Sequence, residues 1–371
     1  MQYRDFGKLG FKVSALGFGA MRLPENARGD VDEDAAAALI RAAVDAGVNF
    51  VDTAPAYCRG RSEAVVGAAL RDGYRARVWL STKTDCFTDR AAWRRRLDQQ
   101  LHALGTDYLD VYHLWGIGWD RWSEKILPSG ILKEARRAQA DGLFRHLFFS
   151  FHAPAEELPR LVDTGEFAGC TVQYNLIDRR YEAGLTYAAA KGLATVVMGP
   201  VGGGRLAGPS AAFAGLGVRC ASTPELALRF VLAQPSVHCA LSGMSTPAMV
   251  AENVAAASRA EPLTAAEREA VAAGMEEYLR LADLYCTACG YCEPCPAEVP
   301  IGRVLQLYGL ARVYGSEAAA RELYAEIGRK GFWAAKANAA ACNACGGCAP
   351  KCPQRLDIPA ELATAHAALD A

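Results

Sequence analysis

Eight of the thirteen cysteines stand in two tight groups whose spacing specifies a chemistry. The first group is Cys286-x2-Cys289-x2-Cys292-x2-Cys295-Pro296, and the second is Cys342-x2-Cys345-x2-Cys348-x3-Cys352-Pro353. The second has the bacterial ferredoxin spacing for 4Fe–4S ligation, in which three thiolates two residues apart wrap one cluster and the fourth, followed by proline, reaches the other. The first group departs from that spacing by one residue before its last cysteine. Cross-ligation is expected, with Cys286, Cys289, Cys292 and Cys352 on one cluster and Cys342, Cys345, Cys348 and Cys295 on the other. Zinc is the competing occupant, but it needs two CxxC pairs per site rather than a continuous triple plus Cys-Pro. The sequence therefore predicts two 4Fe–4S clusters. The remaining cysteines, Cys58, Cys86, Cys170, Cys220 and Cys239, have no ligand-spaced partner and are expected to be free thiols.

The groups must be carried by a fold, and 371 residues suit a barrel of about 250 residues with a small second domain. The chain is 51% hydrophobic and 22% charged, so it can bury a core and is not disordered. A net charge of −1 excludes a strongly basic nucleic-acid binder. No apolar run approaches the ~18 residues of a membrane helix. The start Met1-Gln2-Tyr3-Arg4-Asp5-Phe6 carries charges where a secretion signal needs its apolar stretch. A cytoplasmic protein is expected, where thiols stay reduced and thirteen cysteines are not a disulfide framework.

Ahead of the cysteine groups, β-rich runs alternate with helical patterns. The runs are 15–21, 49–53, 78–83, 109–115, 144–151, 170–175, 194–200 and 238–244, and each is followed by an amphipathic or Ala-rich stretch. Eight such units imply an α/β protein of the (β/α)₈ barrel class, spanning 1–275. An open doubly wound sheet is the alternative, but no Gly-x-Gly-x-x-Gly follows the first strand. A short hairpin over 3–13 precedes the barrel. Residues 276–371 read as a small all-α ferredoxin-like domain, with helical patterns at 301–314 and 317–327 between the cysteine groups. In a barrel the chemistry sits at the carboxyl ends of the strands. Those ends carry Asp52, Lys83, His113, Trp115, Ser150, His152, Gln173, Asn175, Met198, Ser242 and Met244.

Several stretches together resemble the aldo-keto reductase superfamily, in its branch with a carboxyl-terminal ferredoxin-like domain. They include Tyr3-Arg4-Asp5-Phe6-Gly7-Lys8-Leu9-Gly10, Val51-Asp52-Thr53-Ala54-Pro55-Ala56-Tyr57, Ser81-Thr82-Lys83, Phe149-Ser150-Phe151-His152 and Val172-Gln173-Tyr174-Asn175. The resemblance implies an oxidoreductase with a tyrosine general acid assisted by lysine, aspartate and histidine. Asp52, Tyr57 and Lys83 match three of these. The family pattern Asp-x-Tyr-x-x-His reads here Asp110-Val111-Tyr112-His113-Leu114-Trp115, so Trp115 stands in the place of histidine. Strand parity puts His113 on the same face as Trp115, about 6 to 7 Å deeper. His152, after the fifth barrel strand, is a second source of an imidazole.

The resemblance also implies a nicotinamide site. Ser150, Gln173 and Asn175 match or adjoin carboxamide-binding positions, Gly203 and Gly204 belong to a phosphate-approaching loop, and Ser242, Ser245, Glu252 and Asn253 fit an adenosine site. Met244 and Met249 stand where cations clamp a 2′-phosphate, so NAD(H) and NADP(H) both remain open, with flavin a third occupant. The expected function is nicotinamide-dependent carbonyl reduction or alcohol oxidation, coupled to or supported by the clusters. The competing reading is an electron-transfer subunit whose barrel is a docking or flavin-binding body. The expected partners are a small carbonyl or alcohol substrate and a redox protein, with no nucleic acid and no membrane.

Overall fold

The computed structural model describes all residues except 260, 284–285, 287–291, 330–332, 353–354 and 371. By contact density the chain divides into two compact units, one of Met1–Pro200 with Leu228–Pro262, the other of Val201–Ala227 with Leu263–Ala371.

The first unit begins with an antiparallel hairpin, β1 (Tyr3–Asp5) and β2 (Lys12–Ser14), in the register Tyr3 opposite Ser14. Eight parallel strands then close a barrel. They are β3 (Leu16–Gly19), β4 (Phe50–Asp52), β5 (Trp79–Thr84), β6 (Leu109–Leu114), β7 (Phe144–Ser150), β8 (Gly169–Gln173), β9 (Ala194–Met198) and β10 (Cys239–Ser242), with β10 pairing β3. The expected eight-unit barrel and leading hairpin are both present.

Helix boundaries follow local chemistry. Asp32 caps α1 (Glu33–Asp45) by accepting from the Ala35 amide, and Glu33 and Asp34 lie in its first turn, where the helix dipole favours acids. Asp89 caps α3 (Arg90–Leu104) in the same way, and Gly105 ends it at φ 60°. Between them, α2 (Ser62–Ala69) follows β4. The segment after β6 is less regular than a single amphipathic helix. A π-turn over Trp122–Ile126 precedes the regular helix Ile131–Ala140. Trp122 and Ile126 are buried there, which couples that irregular backbone to packing.

The core sorts by height along the barrel axis. Phe6 and Val13 from the hairpin meet Phe50, Val111, Phe148, Ala194, Val196, Cys239 and Leu241 in one apolar cluster at the amino end. Gly7, at φ 56°, lets the hairpin approach β9, since a Cβ there would lie 2.5 Å from the Ala194 nitrogen. The polar inward positions lie above this plug, at the carboxyl ends of the strands.

In the second unit, helices Ile301–Tyr314 and Glu317–Ala325 follow the first cysteine group, and Ile358–Leu369 follows the second. This unit also takes in Val201–Ala227. Within it the Phe213 and Tyr314 rings stack with centroids 5.5 Å apart, and Ser210 donates to the Tyr314 carbonyl. Among the described residues no helix is long and apolar enough to cross a membrane.

Candidate functional site

Strand register aims the first group of side chains. Asp52 faces Ser81 across the β4–β5 pair, and Lys83 lies two positions beyond Ser81. Residues two apart in a strand share a face, so all three turn into the barrel. There Lys83 Nζ is ion-paired with Asp52 Oδ2 and donates to the Thr53 carbonyl at 2.9 Å, while Ser81 Oγ donates to Asp52 Oδ1 at 2.8 Å. Asp52 and Lys83 are each 2% exposed. Desolvating both charges offsets much of their attraction, so such a pair is weak evidence for stability and better evidence for a site. Burial works against the Lys83 ammonium, but Asp52 and Tyr57 outweigh it and hold its pKa above the ordinary lysine value.

Tyr57 opens a tight turn, Tyr57–Gly60, just after β4. Cys58 and Arg59 sit at φ 51° and 54°, a left-handed conformation that non-glycine residues rarely adopt. The turn carries the Tyr57 ring over the barrel mouth, with Lys83 Nζ 5.0 Å from its centroid. Burial raises the phenol pKa, and the Lys83 charge opposes that rise. Tyr57 is thus a protonated donor at neutral pH beside a fixed ammonium.

The Trp115 ring meets Tyr57 edge to face, with centroids 5.8 Å apart and an interplanar angle of 85°. His113 lies in the barrel interior, fully buried and edge-on to Phe148 at 5.4 Å. Its Nδ1 is 3.2 Å from Ser81 Oγ and its Nε2 is 2.8 Å from Thr171 Oγ1. Burial, reinforced by Lys83, pushes its pKa well below the ordinary histidine value. His152 follows β7 at the surface of the mouth. Burial of its ring and the Lys83 charge lower its pKa as well. Both imidazoles are neutral at pH 7.

The candidate nucleotide residues take varied positions. Ser150 Oγ accepts from the Gly116 amide at 2.9 Å, which leaves its proton to donate. Gln173 Nε2 donates to Asp178 Oδ2 at 2.9 Å. Asn175 ties its own turn to the chain just past β9, donating to the Gly199 carbonyl at 3.0 Å and accepting from the Ile177 amide at 3.1 Å. Asn253 Nδ2 donates to Ser242 Oγ at 2.9 Å, which ties the helix Pro247–Ala257 to β10. Ser245 directs its amide and hydroxyl at the Met249 sulfur, each at 3.5 Å. Glu252, on that same helix, is half-buried. Gly203 and Gly204 belong to the second unit. Both have positive φ, and a Cβ on Gly204 would stand 3.3 Å from Leu323.

In the second unit the segment after Cys295 is joined to the segment before Cys342. Ala337 N donates to the Glu298 carbonyl at 3.1 Å, and Lys336 pairs with the Glu298 carboxylate at 2.6 Å. Glu298 is three residues past Cys295, and Ala337 is five before Cys342. Burial raises the Cys348 thiol pKa, and Cys342, Cys345 and Cys295 act on it electrostatically in the same direction. Cys286 and Cys292 of the first group are described, as is Cys352. Cys289 lies outside the described residues. Cys58, Cys86, Cys170 and Cys239 are free thiols, and Cys220 is half-buried.

The description "Aldo/keto reductase family" matches residues 15–212, more than half of the chain. The chain belongs to the aldo/keto reductase family. A second description, "4Fe-4S dicluster domain", matches residues 283–356, so this aldo-keto reductase-like oxidoreductase carries an iron–sulfur domain at its carboxyl end. The L-galactose dehydrogenase of Arabidopsis thaliana is 29% identical over 290 residues, covering 71% of this chain and 90% of its own. The aldo-keto reductase YhdN of Bacillus subtilis is 29% identical over 220 residues, covering 56% of this chain and 64% of its own. Among solved structures, the holo form of aldo-keto reductase AKR11C1 from Bacillus halodurans superposes with a TM-score of 0.64 at 26% identity, covering 74% of this chain and 96% of that one. An aldo/keto reductase from Klebsiella pneumoniae, solved in complex with NADP and acetate, gives 0.61 at 28% identity, covering 72% and 92%.

Sequence reasoning passed over several residues inside this reductase barrel and at its mouth. Ser81 and Thr171 flank the His113 ring, and strand parity with Lys83 was the available signal for Ser81. Arg121 Nη1 donates to the Gly116 carbonyl at 3.0 Å and to the Trp115 carbonyl at 3.5 Å, from the single helical turn Trp119–Arg121, too short for a periodicity to announce it. Arg22 packs its stem against Gly243, near the end of β10, and no spacing rule links those positions.

Proposed function

We propose that the barrel interconverts a small carbonyl compound and its alcohol with a nicotinamide dinucleotide, and that Tyr57 is the proton donor. The observation that carries this reading is the buried Asp52–Lys83 pair with its ammonium 5.0 Å from the Tyr57 ring. When bound, the nicotinamide supplies or takes the hydride at the carbonyl carbon. Tyr57 gives its proton to the carbonyl oxygen as that oxygen gains charge, and regains it from solvent. Lys83 stabilises the phenolate while it lasts, and Asp52 holds Lys83 charged. In the reverse direction Tyr57 accepts the alcohol proton.

Ser150 and Gln173, with polar atoms at the carboxyl ends of β7 and β8, suit a carboxamide, and the NADP bound by the Klebsiella relative supports a dinucleotide here. Asn175, Ser242, Ser245, Glu252 and Asn253 are proposed to frame the rest of it. Met249 in place of a fixed cation favours NAD(H), because a 2′-phosphate would lose charge-assisted bonds there. His152 is proposed to orient substrate at the mouth as a neutral imidazole.

Two 4Fe–4S clusters are proposed on Cys286, Cys289, Cys292 with Cys352, and on Cys342, Cys345, Cys348 with Cys295. Four thiols drawn from two Cys-Pro motifs are the donor set such clusters take. Each cluster carries one electron at a time, which suits exchange with a redox partner protein. The test is anaerobic addition of NADH and of NADPH with a panel of aldehydes. Aldehyde-dependent nucleotide oxidation supports the reading. Clusters reducible by dithionite in a protein that binds no nucleotide would instead support an electron-transfer subunit.

A further inference from the structure

Ser81, His113 and Thr171 form a fully buried row that ends on Asp52. Proton counting gives this row a direction. The Asp52 carboxylate, paired with Lys83, can only accept. Ser81 therefore spends its one hydroxyl proton on Oδ1, at 2.8 Å. Toward His113 its oxygen can then only accept, so the ring nitrogen facing it, Nδ1 at 3.2 Å, must carry a proton. Burial and Lys83 keep the ring neutral, with one N–H. Nε2 is then bare and accepts the Thr171 hydroxyl at 2.8 Å.

We propose that His113, as its Nδ1–H tautomer, is a positioning residue that fixes the Asp52 carboxylate through Ser81 and so keeps the Lys83 ammonium beside Tyr57. The inference rests on the reductase reading for the use made of Tyr57, but the hydrogen-bond chain stands without it. His113 faces Lys83 across the β5–β6 register, and Phe148 clamps its ring edge-on at 5.4 Å. A ring so held joins β5 to β8 across the barrel interior. The charged groups around the row are Asp52 from β4 and Lys83 from β5, with Tyr57 and the buried Cys239 thiol on β10 as titratable neighbours of that pair. Phe148 on β7 and Thr171 on β8 are uncharged.

The consequence concerns charge on Asp52. Each donor to Oδ1 spreads its negative charge. Without the Ser81 donor the carboxylate draws Lys83 toward itself and away from Tyr57, and the phenol becomes a weaker acid. No substrate contact by His113 is needed for this effect. It also gives a use for a histidine two residues before Trp115.

Two measurements on the full cluster-bearing chain test the proposal without turnover, so a protein that reduces no carbonyl tests it equally. In the first, nitrogen NMR of protein labelled at histidine reads the tautomer, with His113→Gln identifying the signal. A protonated Nδ1 and bare Nε2, unchanged between about pH 6 and 9, is expected. A protonated Nε2, or a charged ring, overturns the proposal. In the second, a fluorotyrosine installed at 57 reports its own ionisation by fluorine NMR. Ser81→Ala and His113→Phe should each raise its midpoint by about one pH unit. Ser81→Thr, which keeps a hydroxyl, and His113→Gln, which keeps a donor and an acceptor, should stay near the parent. Equal midpoints in all four variants would show that the row positions nothing, and if His113→Phe fails to fold, Ser81→Ala decides alone.

Discussion

Asp52, Ser81, Lys83, His113 and Thr171 come from four different strands and meet because parallel register places them at matching heights. Cys342, Cys345 and Cys348 instead lie within one short stretch, and the Glu298–Ala337 hydrogen bond joins the segment after Cys295 to the one before Cys342. The two constructions have different weak points. A cluster motif owes its ligands to local spacing, so losing one cysteine should damage one cluster and spare the barrel. The barrel site is a connected set of buried polar groups, so losing one member should be felt by the others.

The largest expected effect separates the two regions outright. Cys295→Ala should lower iron from about eight atoms per chain toward four, measured by iron analysis after anaerobic purification, with the barrel's unfolding transition unchanged. Loss of all iron would mean that the groups are interdependent and that the contrast is too sharp.

Next, Lys83→Met leaves the Asp52 carboxylate buried without its partner. The expected loss is about 3–5 kcal/mol in denaturant unfolding. Lys83→Met combined with Asp52→Asn should recover much of it. A single variant as stable as the parent would argue that the pair is not desolvated as the 2% exposures imply.

A pH test reaches a different part of the barrel. His238 accepts from the Thr195 amide at 2.9 Å, and burial, aided by Arg4, lowers its pKa from 6.5 to about 4. The unfolded chain therefore binds more protons than the folded one between these values, so stability is full above pH 6.5 and falls as pH drops toward 4. The loss attributable to this group is on the order of 3 kcal/mol. His238→Gln should flatten the acid side of the stability curve, and an unaltered slope would assign the acid sensitivity elsewhere.

Tyr57→Phe should lower carbonyl turnover by about 10²-fold with nucleotide binding kept. Unchanged turnover would move the acid to another group, with His152 the first to examine. The smallest effect is expected from Trp115→His, a few-fold gain on simple aldehydes, since an imidazole could then share the carbonyl oxygen with Tyr57. A loss on flat aromatic substrates should accompany it, because the indole edge against Tyr57 disappears.

The iron–sulfur motif was legible because ligand spacing is a property of the chain itself, and a cluster of fixed size selects it. The barrel was legible from eight repeated strand–helix patterns, Asp52 and Lys83 from their place at strand ends, and Tyr57 from the family resemblance. Parity alone put His113 and Trp115 on one face, because side chains alternate along any strand. What the tertiary structure decided was partnership. That the His113 nitrogens meet Ser81 and Thr171, that Ser242 meets Asn253, and that the Val201–Ala227 segment packs with the carboxyl-terminal helices all depend on how distant elements come together. Hydrogen bonds act over about 3 Å, and no pattern within a single element fixes which group from another element arrives within that range.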